Sequence, residues 1–337
     1  MTVWRPIHGY RAAVSARTRI SLVVGAIAVA AAAGVVAITA ATSDKPAESA
    51  ATAPEARPGA PPLSLDLGVR TDREATDLRE ALQLYDQGKR GAAETIFARH
   101  SSLEARIGQS FSTWPKGTIA RLTQLSGLHP KSAAVELNLG IARYWAGEDG
   151  AKDAWQSAAS LEPDTAYAVT AGNLLHPEFA RNLPIFVPSD EVPAAVTRLP
   201  PPAQLALLRR RASGGATADR LFYGVALQRL GMPRSAERVF AAAARQAPGN
   251  VEAQVAAAVG RFDKARPADA FSRLGPLSRR FPASASVRFH LGLLLLWAGE
   301  VREARTQLTR ATRVEPGSPL AEQARRYLDE LDKAGVS

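Results

Sequence analysis

The chain is 337 residues long, carries a formal net charge of +10 and contains no cysteine, which removes disulfides, thiolate metal sites and cysteine nucleophiles together. It is rich in alanine and arginine, poor in aromatics, and lacks the Val/Ile/Thr/Tyr alternation of strands, so a mostly helical protein is expected. The length suits one elongated array or two compact domains, and the basic excess favours acidic partners or anionic surfaces.

Residues 1–19 hold Arg5, Arg11, Arg17 and Arg19 and no acid. Ile20 to Ala41 follows as a 22-residue run without charge, Asn, Gln or Pro, long enough as a helix to span a hydrocarbon core of about 30 Å. The expectation is a basic cytoplasmic tail over 1–19 and a transmembrane signal anchor over 20–41. The positive-inside rule then puts the N-terminus in the cytoplasm and the repeat domain outside it, as a single-pass membrane protein. A cleaved signal peptide ending near Thr39–Ala41 is the competing reading. Residues 42–73, rich in Pro, Ala, Ser and Glu, read as a disordered tether.

Over 217–318 one pattern returns at a step of 34 residues. Gly224, Ala258 and Gly292 share one phase, Ala236, Ala270 and Ala304 a second, and Pro248, Pro282 and Pro316 a third. A step of this length is that of a helix–turn–helix unit that cannot bury its apolar face alone and stacks on its neighbours. Small residues let two helices approach, the bulky Phe240, Leu274 and Leu308 fill the space between units, and the prolines end the second helix. A weaker copy lies upstream. Pro130 to Gly140 matches Pro282 to Gly292, and both continue to Trp-Ala-Gly-Glu, at 145–148 and 297–300. Leu103-Glu-Ala105 likewise parallels Val251-Glu-Ala253. Two related halves are expected, 74–178 with degenerate spacing and three 34-residue units over 217–318, each with three helix pairs. Between them a Pro-rich linker, 179–216, excludes long helices apart from a short one near 203–211; it either hinges or covers the array. Leu320, Ala324, Tyr327, Leu328 and Leu331 predict a capping helix over 319–334.

These residues resemble the tetratricopeptide repeat (TPR) family, in which a small residue stands in the middle of helix A and an alanine early in helix B. The resemblance implies an all-α, TPR-type α-solenoid, here preceded by one transmembrane helix, and so a membrane-anchored TPR-containing protein. It also implies a concave face lined by helix A, at positions matching Tyr144, Trp145, Val259, Phe262, Phe289, Leu293, Leu296 and Trp297. The family's aromatics early in helix A are replaced by Arg220, Gln254 and Arg288, and the polar set with which some members clamp a C-terminal carboxylate is absent. An apolar groove of this kind takes an amphipathic helix or extended peptide, with Trp145 and Trp297 as anchors; the opposing possibility is that these residues are buried by the linker or by the packing of the two halves.

No chemistry is legible elsewhere. His8, His100, His129, His176 and His290 are scattered, no Gly-rich phosphate loop follows a strand, and the carboxylates spread along polar helix faces. No catalytic residue, metal site or cofactor is expected, nor a nucleic-acid or small-molecule partner; the arginine clusters at 209–211, 279–280 and 325–326 lack interleaved aromatics. The reading is a non-catalytic, membrane-anchored scaffold that binds a partner protein or peptide through its concave face. The alternative is a secreted, soluble adaptor or envelope-polymer binder.

Overall fold

The computed structural model describes residues 56–335, and among them every regular element is an α-helix. The first half runs through α1 (Arg73–Asp86), α2 (Arg90–Phe97), α3 (Leu103–Ser112), α4 (Thr118–Leu128), α5 (Ala133–Ala146), α6 (Ala151–Leu161) and α7 (Ala166–Leu175). A short α8 (Ala194–Thr197) and α9 (Pro201–Ser213) lead to the second half, α10 (Thr217–Arg229), α11 (Pro233–Gln246), α12 (Val251–Val259), α13 (Ala268–Arg280), α14 (Ala285–Trp297), α15 (Val301–Val314) and α16 (Pro319–Lys333). In each half three successive helix pairs stack and a single helix, α7 or α16, closes the row. The result is a helical solenoid with repeat-like pairing.

Local chemistry sets the helix ends. Ser102 and Asn250 cap α3 and α12, Ser132 and Ser284 cap α5 and α14, and Thr165 and Ser318 cap α7 and α16, each side chain accepting the backbone N–H three residues on. Each such cap contributes about 1 kcal/mol. Gly147, Gly231 and Gly299 turn the chain with positive φ between paired helices, a conformation that costs a side chain more than it costs glycine.

The two helices of a pair differ in burial. On α15 only Val301, Ala304, Leu308 and Ala311 are buried, one stripe at helical spacing. On α14 burial extends round the helix, from Ala285 to Trp297, and takes in Arg288 and His290. The first helix of a pair therefore lies between its partner and something else on the concave side. Close approach within a pair depends on small residues. A Cβ added at Gly224 would overlap the ring of Phe240, and one at Gly140 would fall 2.5 Å from Trp155.

The halves have separate apolar cores and meet at α7. Ser235 donates both its N–H and its hydroxyl to Asp164, at 2.9 and 2.6 Å. Gly231 sits against Ala166, where a Cβ would approach to 2.7 Å, and Lys264 donates to Asn173. A small third cluster, Val196, Leu208, Phe222 and Ala226, seats α8 and α9 on α10. The proline pair 201–202 starts α9, where missing N–H groups cost nothing, so that helix is longer than the stretch expected at 203–211.

One group of expectations is corrected. Among the described residues no helix is long and apolar enough to cross a membrane. The membrane-anchored description, the transmembrane helix preceding the solenoid, the membrane contact through residues 20–41 and the single-pass localisation are withdrawn accordingly. The physical reason is that the longest described helices carry charged outer faces. The stretches 1–19, 20–41 and 42–55 lie outside the described residues. The remainder of the expected tether differs from a spacer, since residues 57–70 are packed against the first half.

Gly224→Ala is expected to destabilise the protein by about 1–3 kcal/mol through overpacking against Phe240, read as a lower urea midpoint. Gly249→Ala, where an added Cβ meets nothing within 4 Å, leaves the midpoint unchanged; equal effects at both sites would refute the packing account.

Candidate functional site

The concave side of each half is lined by the first helices of its pairs, and in each an extended segment of the chain lies along it. We call these segments the arms: residues 57–70 in the first half and 183–190 in the second. Neither has a helix or a ladder of its own, so its backbone donors need acceptors from the groove.

The first arm reads Leu63-Ser-Leu-Asp-Leu67. Its alternation turns Leu63 and Leu67 into the groove, where both are buried. Ser64 N–H donates to Asn138 Oδ1 at 3.0 Å, and Asn138 Nδ2 donates back to Ser64 O at 2.8 Å. Asp66 N–H donates to the Tyr167 hydroxyl at 2.9 Å, and the Tyr85 hydroxyl donates to Pro61 O at 2.6 Å. Burial pushes the pKa of Tyr85 and Tyr167 up, so both remain protonated donors or acceptors in the groove. At the head of the arm, Arg57 N–H donates to Trp145 O at 2.8 Å, its guanidinium hydrogen-bonds the Tyr144 hydroxyl, and its Cζ lies 4.2 Å from the Tyr144 ring centre. The same Cζ is 5.5 Å from the Trp145 ring centre, a cation held by two aromatic faces.

The second arm repeats this grip. Phe186 N–H donates to Gln228 Oε1 at 2.9 Å, and Gln228 Nε2 donates to Pro184 O at 3.3 Å. Val187 N–H donates to His290 Nε2 at 2.9 Å, and Ser189 N–H to Glu252 Oε1 at 2.7 Å. Phe186 is fully buried, stacked on His290 at 4.8 Å and edge-on to Phe240 at 5.7 Å. Asn138 and His290 are the sixth residues of α5 and α14, the helices that the sequence duplication equates. Pro61 precedes Ser64 by the same three residues that separate Pro184 from Val187. The two halves thus share an arm, a proline carbonyl acceptor and a polar residue in helix A that receives a backbone N–H.

Two groups in the second groove are perturbed by burial. Lys264 donates to Asn173 Oδ1 and to Ala180 O, at 2.5 and 2.6 Å, fixing the chain just before the arm; burial lowers its pKa to about 7. Burial likewise lowers His290 to about 4. Its Nδ1 lies 2.7 Å from Ser286 O and is the protonated nitrogen, which leaves Nε2 free to accept from Val187.

The residues expected to line the concave face divide between the seat of the first arm and the second core. Tyr144 and Trp145 are half-buried beneath Arg57, whereas Val259, Phe262, Phe289, Leu293, Leu296 and Trp297 are buried in the second core. The first arm and the polar clamps Asn138, His290 and Tyr167 escaped the sequence reading, which allowed for the second arm only as a linker covering the array. Two signals pointed to them: the apolar alternation of 63–67, and a lone Asn or His in the middle of an otherwise apolar helix. Among the described residues no group of three or more His, Asp or Glu could hold a metal ion.

No protein-family profile matches the chain, and no curated protein is similar to it. A similar solved structure, a thermophilic TPR protein of Thermus thermophilus, aligns over 77% of this chain and 98% of its own length at 16% identity and a TM-score of 0.26. A likeness at that score carries no argument; the fold rests on the helix pairing above. The family resemblance is narrowed accordingly to an all-α repeat protein.

His290 makes stability depend on pH. The unfolded chain binds its proton near pH 6.5, whereas the folded protein binds it only near pH 4. The contribution is therefore complete above pH 6.5 and lost as the pH falls toward 4. Over that range the wild type is expected to lose on the order of 2–3 kcal/mol more than His290→Asn, which carries the first half's residue. Urea unfolding at both pH values tests this, and equal losses would exclude His290 as the source.

Proposed function

We propose that the protein is a non-catalytic helix-repeat adaptor whose concave faces receive extended apolar segments of a partner protein. The observation that supports this reading is the matched seating of the two arms. Each groove accepts an extended segment by burying apolar side chains at an arm proline and beyond, and by receiving backbone N–H groups on side chains of the array. Main-chain hydrogen bonds of this kind hold a segment with little regard to its sequence, while the pockets for Leu63, Leu67 or Phe186 select apolar residues at set spacing. Tyr144, Trp145, Val259, Phe262, Phe289, Leu293, Leu296 and Trp297 form or back these surfaces. A partner segment would bind by replacing an arm.

The first arm is the better candidate for replacement. The second is joined at both ends to packed structure, through Lys264 on one side and α8 on the other. An arm covalently attached to its own groove competes at an effective concentration of roughly millimolar, so a partner must match its contacts or act once the arm is loosened.

The test uses the full-length chain with Leu63→Asp and Leu67→Asp, which loosens the first arm, and a labelled peptide of residues 57–70. Fluorescence anisotropy is expected to show peptide binding to this variant and not to the wild type, whose groove is filled. Adding Asn138→Ala should weaken binding by roughly tenfold or more, the value of its two hydrogen bonds to Ser64. A variant that keeps its helical circular dichroism yet binds no peptide would overturn the reading.

A further inference from the structure

The duplication supplies an internal control for side chains that packing does not require. Arg288 is the fourth residue of α14, and the fourth residue of α5 is Glu136. The carbonyls of Ala151 and Ala304 lie against Gly140 and Gly292, and Glu162 and Glu315 accept the N–H of Ala133 and Ala285, so Arg310 and Arg313 stand where the first half has Ser157 and Ser160. The same helix pair thus folds with a carboxylate or a guanidinium at one position and with serine or arginine at the other two. In the second half these substitutions gather Arg288, Arg310 and Arg313 around an open cleft of about 220 Å³, completed by Pro282 and Val314.

Arg288 forms the inner wall. It is only 9% exposed. It donates to Pro282 O at 3.1 Å, Gln307 Oε1 at 3.2 Å and Ser278 O at 3.2 Å. These are neutral acceptors, and a guanidinium has five N–H donors, so two donors remain and the buried charge has no counter-charge. Buried charges are costly unless paired. Arg310 and Arg313 stand exposed at the rim and form no ion pair among the described residues. Glu315, the nearest acid in sequence, accepts the Ala285 N–H at 3.4 Å and forms no ion pair with these arginines among the described residues. Burial and the neighbouring Arg310 both lower the pKa of Arg288, the mark of like charges held together. The C-terminal end of α15 eases the cost of collecting cations there, but it does not neutralise them.

We propose that this cleft binds the phosphate group of a small ligand, with Arg288 as the fixed inner donor and Arg310 and Arg313 closing on the oxygens from the rim. Planar guanidinium forks match phosphate oxygens in pairs, and charge-assisted bonds of this kind are the strong ones. The site lies between α14 and α15 and is independent of the arms.

Calorimetric titration of the full-length protein with glycerol 3-phosphate tests it, alongside flotation with phosphatidylcholine vesicles containing phosphatidic acid, which present the same group on a lipid. The variant is Arg310→Ser with Arg313→Gln, both exposed and outside the cores. The control is Arg209→Ser with Arg210→Ser on α9, which removes the same charge elsewhere. Wild type and control are expected to bind, and the variant's Kd to rise roughly tenfold or more. Binding of the soluble probe assigns a free ligand, and binding of the vesicles alone, lost in the variant, assigns a lipid headgroup. Absence of binding to either probe, or a variant indistinguishable from the control, overturns the site.

Discussion

The structure depends on one constraint: the inner faces of its helix rows are apolar, and they are covered from within the chain. A helix such as α14, buried on all sides, cannot face water across an open groove. What covers it is an extended arm, and an extended arm brings backbone N–H groups with no ladder to receive them. Leaving one such donor unpaired in an apolar setting costs about 1–3 kcal/mol. The array answers with polar side chains, among them one at the same position in each half, Asn138 or His290, set in the middle of an apolar helix and receiving an arm N–H. These two residues are buried and polar because the arm is there, and the arm is ordered because they accept from it.

The duplicated halves show which features this arrangement needs. Both keep a proline whose carbonyl is bound from the array, a buried apolar residue two positions on, and a clamped N–H one further. They differ in the donor to that carbonyl, Tyr85 in one and Gln228 in the other, and in the clamp itself. Asparagine can both donate to and accept from the arm. Histidine accepts at one nitrogen only because the other is committed to Ser286 O, which ties the second groove to a neutral imidazole. The halves also differ outside the grooves, where one collects Arg288, Arg310 and Arg313 around a cleft and the other has Glu136, Ser157 and Ser160 at the matching positions.

The junction follows from the same economy. The last helix of the first half, α7, has its free face against the start of the second half, with Asp164 and Asn173 receiving donors from Ser235 and Lys264. Gly231 permits the approach because a side chain there would strike Ala166. A terminal helix that would otherwise shield the end of a row here serves as the surface on which the next row docks.

Much of the helical order was legible because it is local. The 34-residue step of Gly224, Ala258 and Gly292, the alanines twelve residues on and the prolines after them mark helix pairs through steric rules that act within a few turns. The paired segments around Trp145 and Trp297 revealed the duplication for the same reason. The first arm was not legible as a groove occupant, whereas the linker was one of two readings for the second groove. Residues 57–70 have the Pro/Ala composition of a spacer, and their partners Tyr85, Trp114, Asn138 and Tyr167 lie tens of residues away in sequence. The linker prolines over 179–216 left room for one helix near 203–211, and their spacing left open whether the rest hinges or covers the array. The membrane reading came from residues 20–41, and no described helix supports it. By itself, then, the sequence determined the helix pairs, their step and their duplication, since each is set by contacts close along the chain. Only the tertiary structure decided that the concave faces are filled, and by which residues, because that contact joins segments whose separation leaves no periodic trace.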